Sequence, residues 1–147
     1  MKISELSIGD WVMNLYANKP SRVIGLRTMF QDTYEIIAVS DDTQYMLIED
    51  NKELHNFEPI LLTPEILEKN GFDAPKAKVW NDSWYWSNRK DVALELRESF
   101  GLWYIEIVTK EQRSGLQSNR KLGIGLKYVH QLQHALRLAG VEKEIEV

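Results

Sequence analysis

Hydrophobic residues alternate with polar ones in short runs along the first part of the chain. The five runs are Trp11–Leu15, Arg22–Met29, Thr33–Val39, Gln44–Ile48 and Phe57–Leu62. Each run is bounded by residues that favour turns, so each predicts a β-strand. Five short strands at intervals of about ten residues predict a curled, antiparallel, barrel-like sheet similar in size to an SH3 domain.

A short helix is predicted directly after these strands. Thr63 can cap its N-terminus, Pro64 suits the first helical position, and Glu65 is favourable at the positive end of the helix dipole. Asn70 and Gly71 form a typical C-terminal cap, so the helix should end there.

Three further alternating runs follow in the second half of the chain. They are Val79–Ser87, in which Trp80, Trp84 and Trp86 share one parity, then Val92–Leu96 and Trp103–Val108. These runs predict a three-stranded antiparallel meander with one face exposed to solvent.

A C-terminal helix is predicted near Tyr128–Ala139. Its apolar face consists of Val129, Leu132, Leu136 and Ala139, which recur at spacings of three and four residues. We expect this face to cover the apolar side of the meander, and Gly140 to cap the helix.

The sequence therefore predicts an α+β protein with two parts. Residues 1–72 form the barrel-like unit with its short helix, and residues 79–147 form the meander with the C-terminal helix. Asp73–Lys78, which contains Pro75, is the boundary between them. The second part is small, so we expect both parts to pack into one compact globule.

Composition restricts the chemistry of this chain. It contains no cysteine, which excludes disulfides, thiolate zinc sites, iron–sulfur clusters and cysteine nucleophiles. The net charge is −4, with seven basic against thirteen acidic residues in 1–76 and eleven against nine in 77–147. A polyanionic partner would therefore meet the second half. No secretion signal or apolar run of roughly 18 residues is present, so we expect a cytoplasmic protein that engages no membrane.

Several short motifs resemble a known protein family. They are Gly9-Asp10-Trp11, Pro59–Leu67 (PILLTPEIL), Asn70-Gly71-Phe72 and the segment beginning Tyr128–Gln133 (YVHQLQ). Together they resemble a family of small uncharacterised proteins encoded by prophages and mobile elements of anaerobic gut bacteria. The resemblance implies an accessory role in a phage or mobile element and supplies no catalytic residues.

Two histidines are a weak candidate for a metal site. His130 and His134 are four residues apart on the predicted helix, so both side chains lie on one side of it. A metalloprotease motif needs glutamate after the first histidine, where this chain has Gln131. We therefore favour histidines that flank the apolar stripe of the helix, and no cofactor is implied.

A basic segment is the second candidate site. Residues 110–127 contain one acidic residue, Glu111, and five basic ones: Lys110, Arg113, Arg120, Lys121 and Lys127. We interpret 109–121 as a polar loop, with Gly123 and Gly125 as bends before the last helix. Such a loop can contact phosphates, while nearby tryptophans and Tyr85 can stack on bases if they are exposed.

No arrangement of nucleophile, general base or paired acids is evident, which favours a non-enzymatic protein. The leading hypothesis is an accessory protein that acts by protein–protein interaction, through an unpaired strand edge that receives a partner chain or a second copy. Nucleic-acid binding by the basic segment is the alternative. A metal-dependent enzyme using His130 and His134 is the third hypothesis.

Overall fold

The computed structural model describes residues 1–29, 33–50, 54–74, 83–87, 92–110 and 117–147. They form two compact units. The first comprises Met1–Leu61 with Tyr128–His130 and Val147, and the second comprises Leu62–Lys127 and Gln131–Glu146. The predicted α+β class is confirmed. In the described ranges, no helix has the length and apolar character needed to cross a membrane.

Five antiparallel strands form the sheet of the first unit. They are β1 (Trp11–Asn14), β2 (Lys19–Thr28), β3 (Thr33–Ser40), β4 (Thr43–Asp50) and β5 (Phe57–Pro59). Their order across the sheet is β4-β3-β2-β1-β5, and the sheet curls into a half-barrel, as predicted.

The tight loop between β3 and β4 makes these two strands antiparallel neighbours in the sheet. Asp41 and Asp42 form a two-residue loop between the paired residues Ser40 and Thr43. Their φ angles are 46° and 63°, as a type I′ turn requires. Aspartate tolerates this left-handed conformation better than most residues, and the turn twists the two strands in the direction that the sheet needs.

One face of this sheet forms the core of the first unit. The buried side chains that the strands contribute are Val12, Val23, Ile36, Ala38 and Phe57. Because side chains alternate along a strand, the intervening residues lie on the opposite face, which is exposed or half-buried.

The sheet of the second unit has four strands, so the prediction of a three-stranded meander is wrong in number. The strands are β6 (Ser83–Ser87), β7 (Val92–Ser99), β8 (Leu102–Lys110) and β9 (Gln117–Leu126), in the order β6-β7-β8-β9. Part of the first predicted strand, residues 79–82, lies outside the described residues.

Strand β9 replaces part of the predicted polar loop. It pairs with β8 from Lys110 opposite Gln117 to Trp103 opposite Leu126, with a register shift between Tyr104 and Ile105. Pairing with a neighbouring strand satisfies its backbone groups whatever the polarity of its side chains, which is why the polar sequence did not predict it.

Helix α1 (Pro64–Lys69) begins and ends where the sequence predicts. The Thr63 hydroxyl accepts a hydrogen bond from the Ile66 amide at 3.4 Å. At the other end, Gly71 has φ 73°, and the Phe72 amide donates to the Leu67 carbonyl. This is the hydrogen-bond pattern of a glycine-capped helix terminus.

Helix α2 (Val129–Leu138) has the predicted apolar stripe. Val129, Leu132 and Leu136 are fully buried, whereas Leu138 is exposed. Ala139, the fourth residue of the predicted face, lies just beyond the helix and is half-buried. Gly140 has φ 70° and ends the helix as expected.

The C-terminal segment after α2 is held by Asn70. The Asn70 side chain accepts a hydrogen bond from the Glu146 amide at 2.9 Å and donates to the Glu146 carbonyl at 2.7 Å. Lys143 donates to the Asn70 carbonyl at 2.8 Å, and its ammonium lies 4.8 Å from the centre of the Trp86 ring. Burial lowers the pKa of Lys143, which the charge of Glu146 opposes. Ile145 is fully buried beside these contacts in the chain.

Candidate functional site

Each sheet has two end strands, and three of these four end strands are short, covered or irregular. β5 has only three residues. β6 has five, and Asp73 pairs with its central residue, Tyr85, by two backbone hydrogen bonds of 2.7 and 3.1 Å. β9 departs from regular register where it pairs with Tyr104 and Ile105 of β8. Short length, cover, bulges and basic residues are the usual means by which proteins prevent unwanted strand pairing.

β4, the fourth end strand, lacks these protections. It is eight residues long and contains no proline, lysine or arginine. Its pairing with β3 runs from Thr33 opposite Asp50 to Ser40 opposite Thr43 with no register shift. A long, regular end strand of this kind is a template for another strand.

The hairpin geometry determines which backbone groups of β4 face outward. In a two-residue hairpin the pair beside the loop, here Ser40 and Thr43, exchanges hydrogen bonds, and bonded and non-bonded pairs then alternate. The amides and carbonyls of Gln44, Met46 and Ile48 therefore point away from β3. Among the residues that the structure describes, none pairs with this side of the strand.

The same three residues have exposed side chains. Met46 is 59% exposed and Ile48 is 63% exposed. On the same face, Ile37 is paired with Met46 and Val39 with Gln44, and both are half-buried. We call these five residues the β4 surface. It combines unpaired backbone groups with a contiguous apolar face. Single exposed apolar residues are common on protein surfaces and do not by themselves indicate a binding site.

The position of the Ile37 side chain on the β4 surface depends on Gly25. Gly25 is the partner of Ile37 on β2, and a Cβ built on Gly25 would lie 3.1 Å from Ile37 Cδ1. The absence of a side chain on Gly25 therefore lets Ile37 lie flat on the sheet.

The inner side of β4 is fixed by polar and aromatic contacts. Glu49 is buried, and its two carboxylate oxygens accept hydrogen bonds from the amides of His55 (2.8 Å) and Asn56 (2.9 Å). The Tyr45 ring meets the edge of Tyr16 with 6.4 Å between ring centres. These contacts hold β4 in position before any partner arrives, which reduces the entropy cost of binding.

Of the two aspartates in the loop before β4, one forms an ion pair among the described residues and the other does not. Lys19 lies 2.6 Å from Asp41, and this hydrogen bond and the charge of Asp41 raise the pKa of Lys19. Asp42 is exposed and has no ion pair within the described part of the chain. One carboxylate is thus left for a partner beside the β4 surface.

A shallow cavity of about 580 Å³ lies on the same face of the sheet, next to this loop. Its lining includes Trp11, Arg22, Ile24, Val39 and Asp42. The apolar face of the β4 surface therefore continues toward β2 and β1 through Val39.

No family model, curated protein or solved structure matches this chain.

The basic residues predicted as a binding loop are distributed differently. Lys110 ends β8, and Arg120 and Lys121 lie within β9, opposite Ile107 and Glu106. The interpretation of 109–121 as a loop is therefore wrong for these positions, because they form a strand pair. Arg113 lies outside the described residues, and Lys127 follows β9 and is exposed.

The aromatic residues near that segment divide between two faces of the second sheet. Trp84 and Trp86 are half-buried opposite Leu96 and Leu94, and Tyr85, of the other parity, is 41% exposed. Trp80 lies outside the described residues. Tyr85 is thus the exposed ring of this strand, where the sequence could not assign exposure.

The two histidines of α2 have different environments. His130 is buried, and its ring stacks on Tyr128 with 5.8 Å between centres and 9° between planes. His134 is half-buried. No group of three or more potential metal ligands occurs among the described residues. Elemental analysis of the purified protein tests the metal hypothesis, which requires stoichiometric zinc or iron.

The sequence contained only part of the signal for the β4 surface. Alternation in Gln44–Ile48 predicted the strand, and an unpaired strand edge was expected in each sheet. Which strand lies last in the sheet depends on long-range pairing that alternation does not encode.

Proposed function

We propose that this protein is a non-enzymatic binding protein that receives an extended segment of a partner protein as an additional strand beside β4. The observation that supports this most directly is that Gln44, Met46 and Ile48 combine outward backbone groups with exposed side chains. In strand addition, backbone hydrogen bonds supply affinity and alternate side chains supply specificity.

The energetics favour such a partner. Burial of exposed apolar surface contributes roughly 25 cal/mol per Å², and Met46 and Ile48 both have most of their surface available. A strand paired to this edge adds hydrogen bonds to groups that are otherwise solvated, each with a net contribution of about 1 kcal/mol. The resemblance to prophage and mobile-element proteins supports an accessory role for this binding.

Hydrogen exchange of the full chain with peptides tests this proposal. A library of extended peptides with alternating apolar residues is selected for binding, and single binders are then added to the protein. We expect the amides of Gln44, Met46 and Ile48 to become protected. Those of Tyr45 and Leu47, which already face β3, should change little.

A matched pair of variants locates the binding. Ile48→Lys places a charge on the strand edge and should abolish binding. Ile8→Lys makes the same change at a residue of similar exposure, 61% against 63%, in the turn before β1, and should leave binding intact. If selected peptides protect other amides, or bind the Ile48→Lys variant equally well, β4 is not the binding edge.

A further inference from the structure

We infer that the segment received by β4 belongs to another protein rather than to a second copy of this chain, and that it carries a basic residue at the position next to Asp42. This inference rests on the proposed strand addition at β4 and specifies the partner.

The register of the β4 surface defines the spacing in the partner. Residues that face Ile48, Met46 and Gln44 are two apart, because only alternate amides of β4 point outward. Their side chains lie on the same face as those they oppose, so the first two should be apolar. The strand begins at Thr43, and Asp42 lies two residues before Gln44 in the loop, so a partner that continues past Gln44 meets Asp42 next. In an antiparallel partner, the residues that face Ile48 and Met46 are therefore the first and third of a segment, and both are apolar. The seventh residue of that segment meets Asp42.

The charge at that position selects a basic residue. Asp42 is exposed without an ion pair among the described residues, whereas its neighbour Asp41 is held by Lys19 at 2.6 Å. Turn geometry alone does not require this charge, since asparagine adopts the same left-handed conformation. A lysine or arginine side chain is long enough to reach the carboxylate from a paired strand.

The same charge opposes a second copy. β4 contains no lysine or arginine, so a second copy of this strand brings no basic residue to Asp42 in any antiparallel register. An acidic residue placed there instead would destabilise the pair, because like charges directly opposite each other repel.

Two synthetic peptides test the inference with the full chain. The first has the sequence valine-threonine-valine-threonine-glutamine-threonine-lysine with blocked ends, and the second has glutamate in place of lysine. We expect the lysine peptide to bind at least about fivefold more tightly at low salt, a preference that shrinks at high salt. Asp42→Asn keeps the turn and should remove the preference. Glu58→Gln, which removes an exposed charge from β5 at the opposite end of the sheet, should retain it.

The outcomes separate this inference from the proposal beneath it. If neither peptide protects the amides of Gln44, Met46 and Ile48, and no selected library peptide does, strand addition itself is wrong. If both peptides protect these amides with equal affinity, strand addition stands and the basic partner is wrong. Sedimentation of the chain alone gives the remaining outcome: a dimer that Ile48→Lys abolishes would identify the occupant as a second copy and overturn the inference.

Discussion

Phe100 combines an unfavourable backbone conformation with an exposed apolar side chain. It occupies the first loop position of the β7–β8 hairpin with φ 52°, and its side chain is fully exposed. The left-handed conformation costs a non-glycine residue about 1–2 kcal/mol, and this turn type prefers asparagine followed by glycine, here Gly101. We expect Phe100→Asn to raise the free energy of unfolding by about 1 kcal/mol in urea denaturation.

A second exposed apolar residue provides the control for that change. Leu138 is 88% exposed at the end of α2, and it is not among the residues with positive φ. Leu138→Asn removes a similar exposed side chain without relief of backbone strain, so we expect no gain in stability. A loss of stability in Phe100→Asn would mean that the ring makes a contact that stabilises the fold.

Glu95 gives the clearest pH dependence at the level of one residue. Burial acts to raise its pKa, but interactions with Arg97, Ser83 and Tyr85 together outweigh this, so the pKa lies below its ordinary value of 4.5. The unfolded chain therefore binds a proton at higher pH than the folded one. The stabilisation is present above pH 4.5 and is lost as pH falls through the folded pKa.

We expect Glu95→Gln to lower stability near neutral pH by less than about 1 kcal/mol, because the Arg97 side chain is about half exposed. The difference from the parent protein should shrink as the pH falls below 4.5 in a series of urea titrations. Glu58→Gln, at an exposed position, is the control. A constant difference across that range would show that the ion pair is not the cause.

At the level of elements, the sequence predicted structure best where local chemistry decides it. Helix α1 begins after Thr63 and ends before Gly71, as capping preferences require. Strand β9 was missed although Leu122, Ile124 and Leu126 alternate, because the intervening glycines favour bends. In the structure these glycines lie beside a register shift, where a strand tolerates them.

Helix α2 supplies the prediction at this scale. Leu136 is fully buried and Leu138 is 88% exposed on the same helix. We expect Leu136→Ala to lower the free energy of unfolding by about 2–5 kcal/mol, because it leaves a cavity in a packed interior. Leu138→Ala should change it by less than about 0.5 kcal/mol. Equal effects in chemical denaturation would show that the predicted apolar face does not support the fold.

At the level of the whole molecule, the candidate site depends on facts that no local pattern contains. The alternation in β4 resembles that of its neighbours, and only the order of strands leaves it at the end of the sheet. The sequence itself shows that acidic residues are concentrated in residues 1–76, where they exceed basic residues by six. What the fold adds is that Asp42 stands beside an open edge, whereas Arg120 and Lys121 are positions of β9, an end strand of the other sheet.

That contrast leads to opposite expectations for nucleic acid and for a peptide strand. Arg120 and Lys121 lie in β9, with Glu106 opposite Lys121, and the molecule as a whole has a net charge of −4. Under the proposed function we expect no binding of single-stranded DNA or RNA at physiological salt in a filter or fluorescence assay.

If the basic segment 110–127 does bind, its five basic residues limit the salt dependence to a slope of about −3.5 in log K against log salt. Binding with such a slope, abolished by charge reversal at Arg113, Arg120 and Lys121, would establish the alternative. A peptide strand at β4 should be unaffected by the same reversal, because its proposed contacts are made by Gln44, Met46, Ile48 and Asp42.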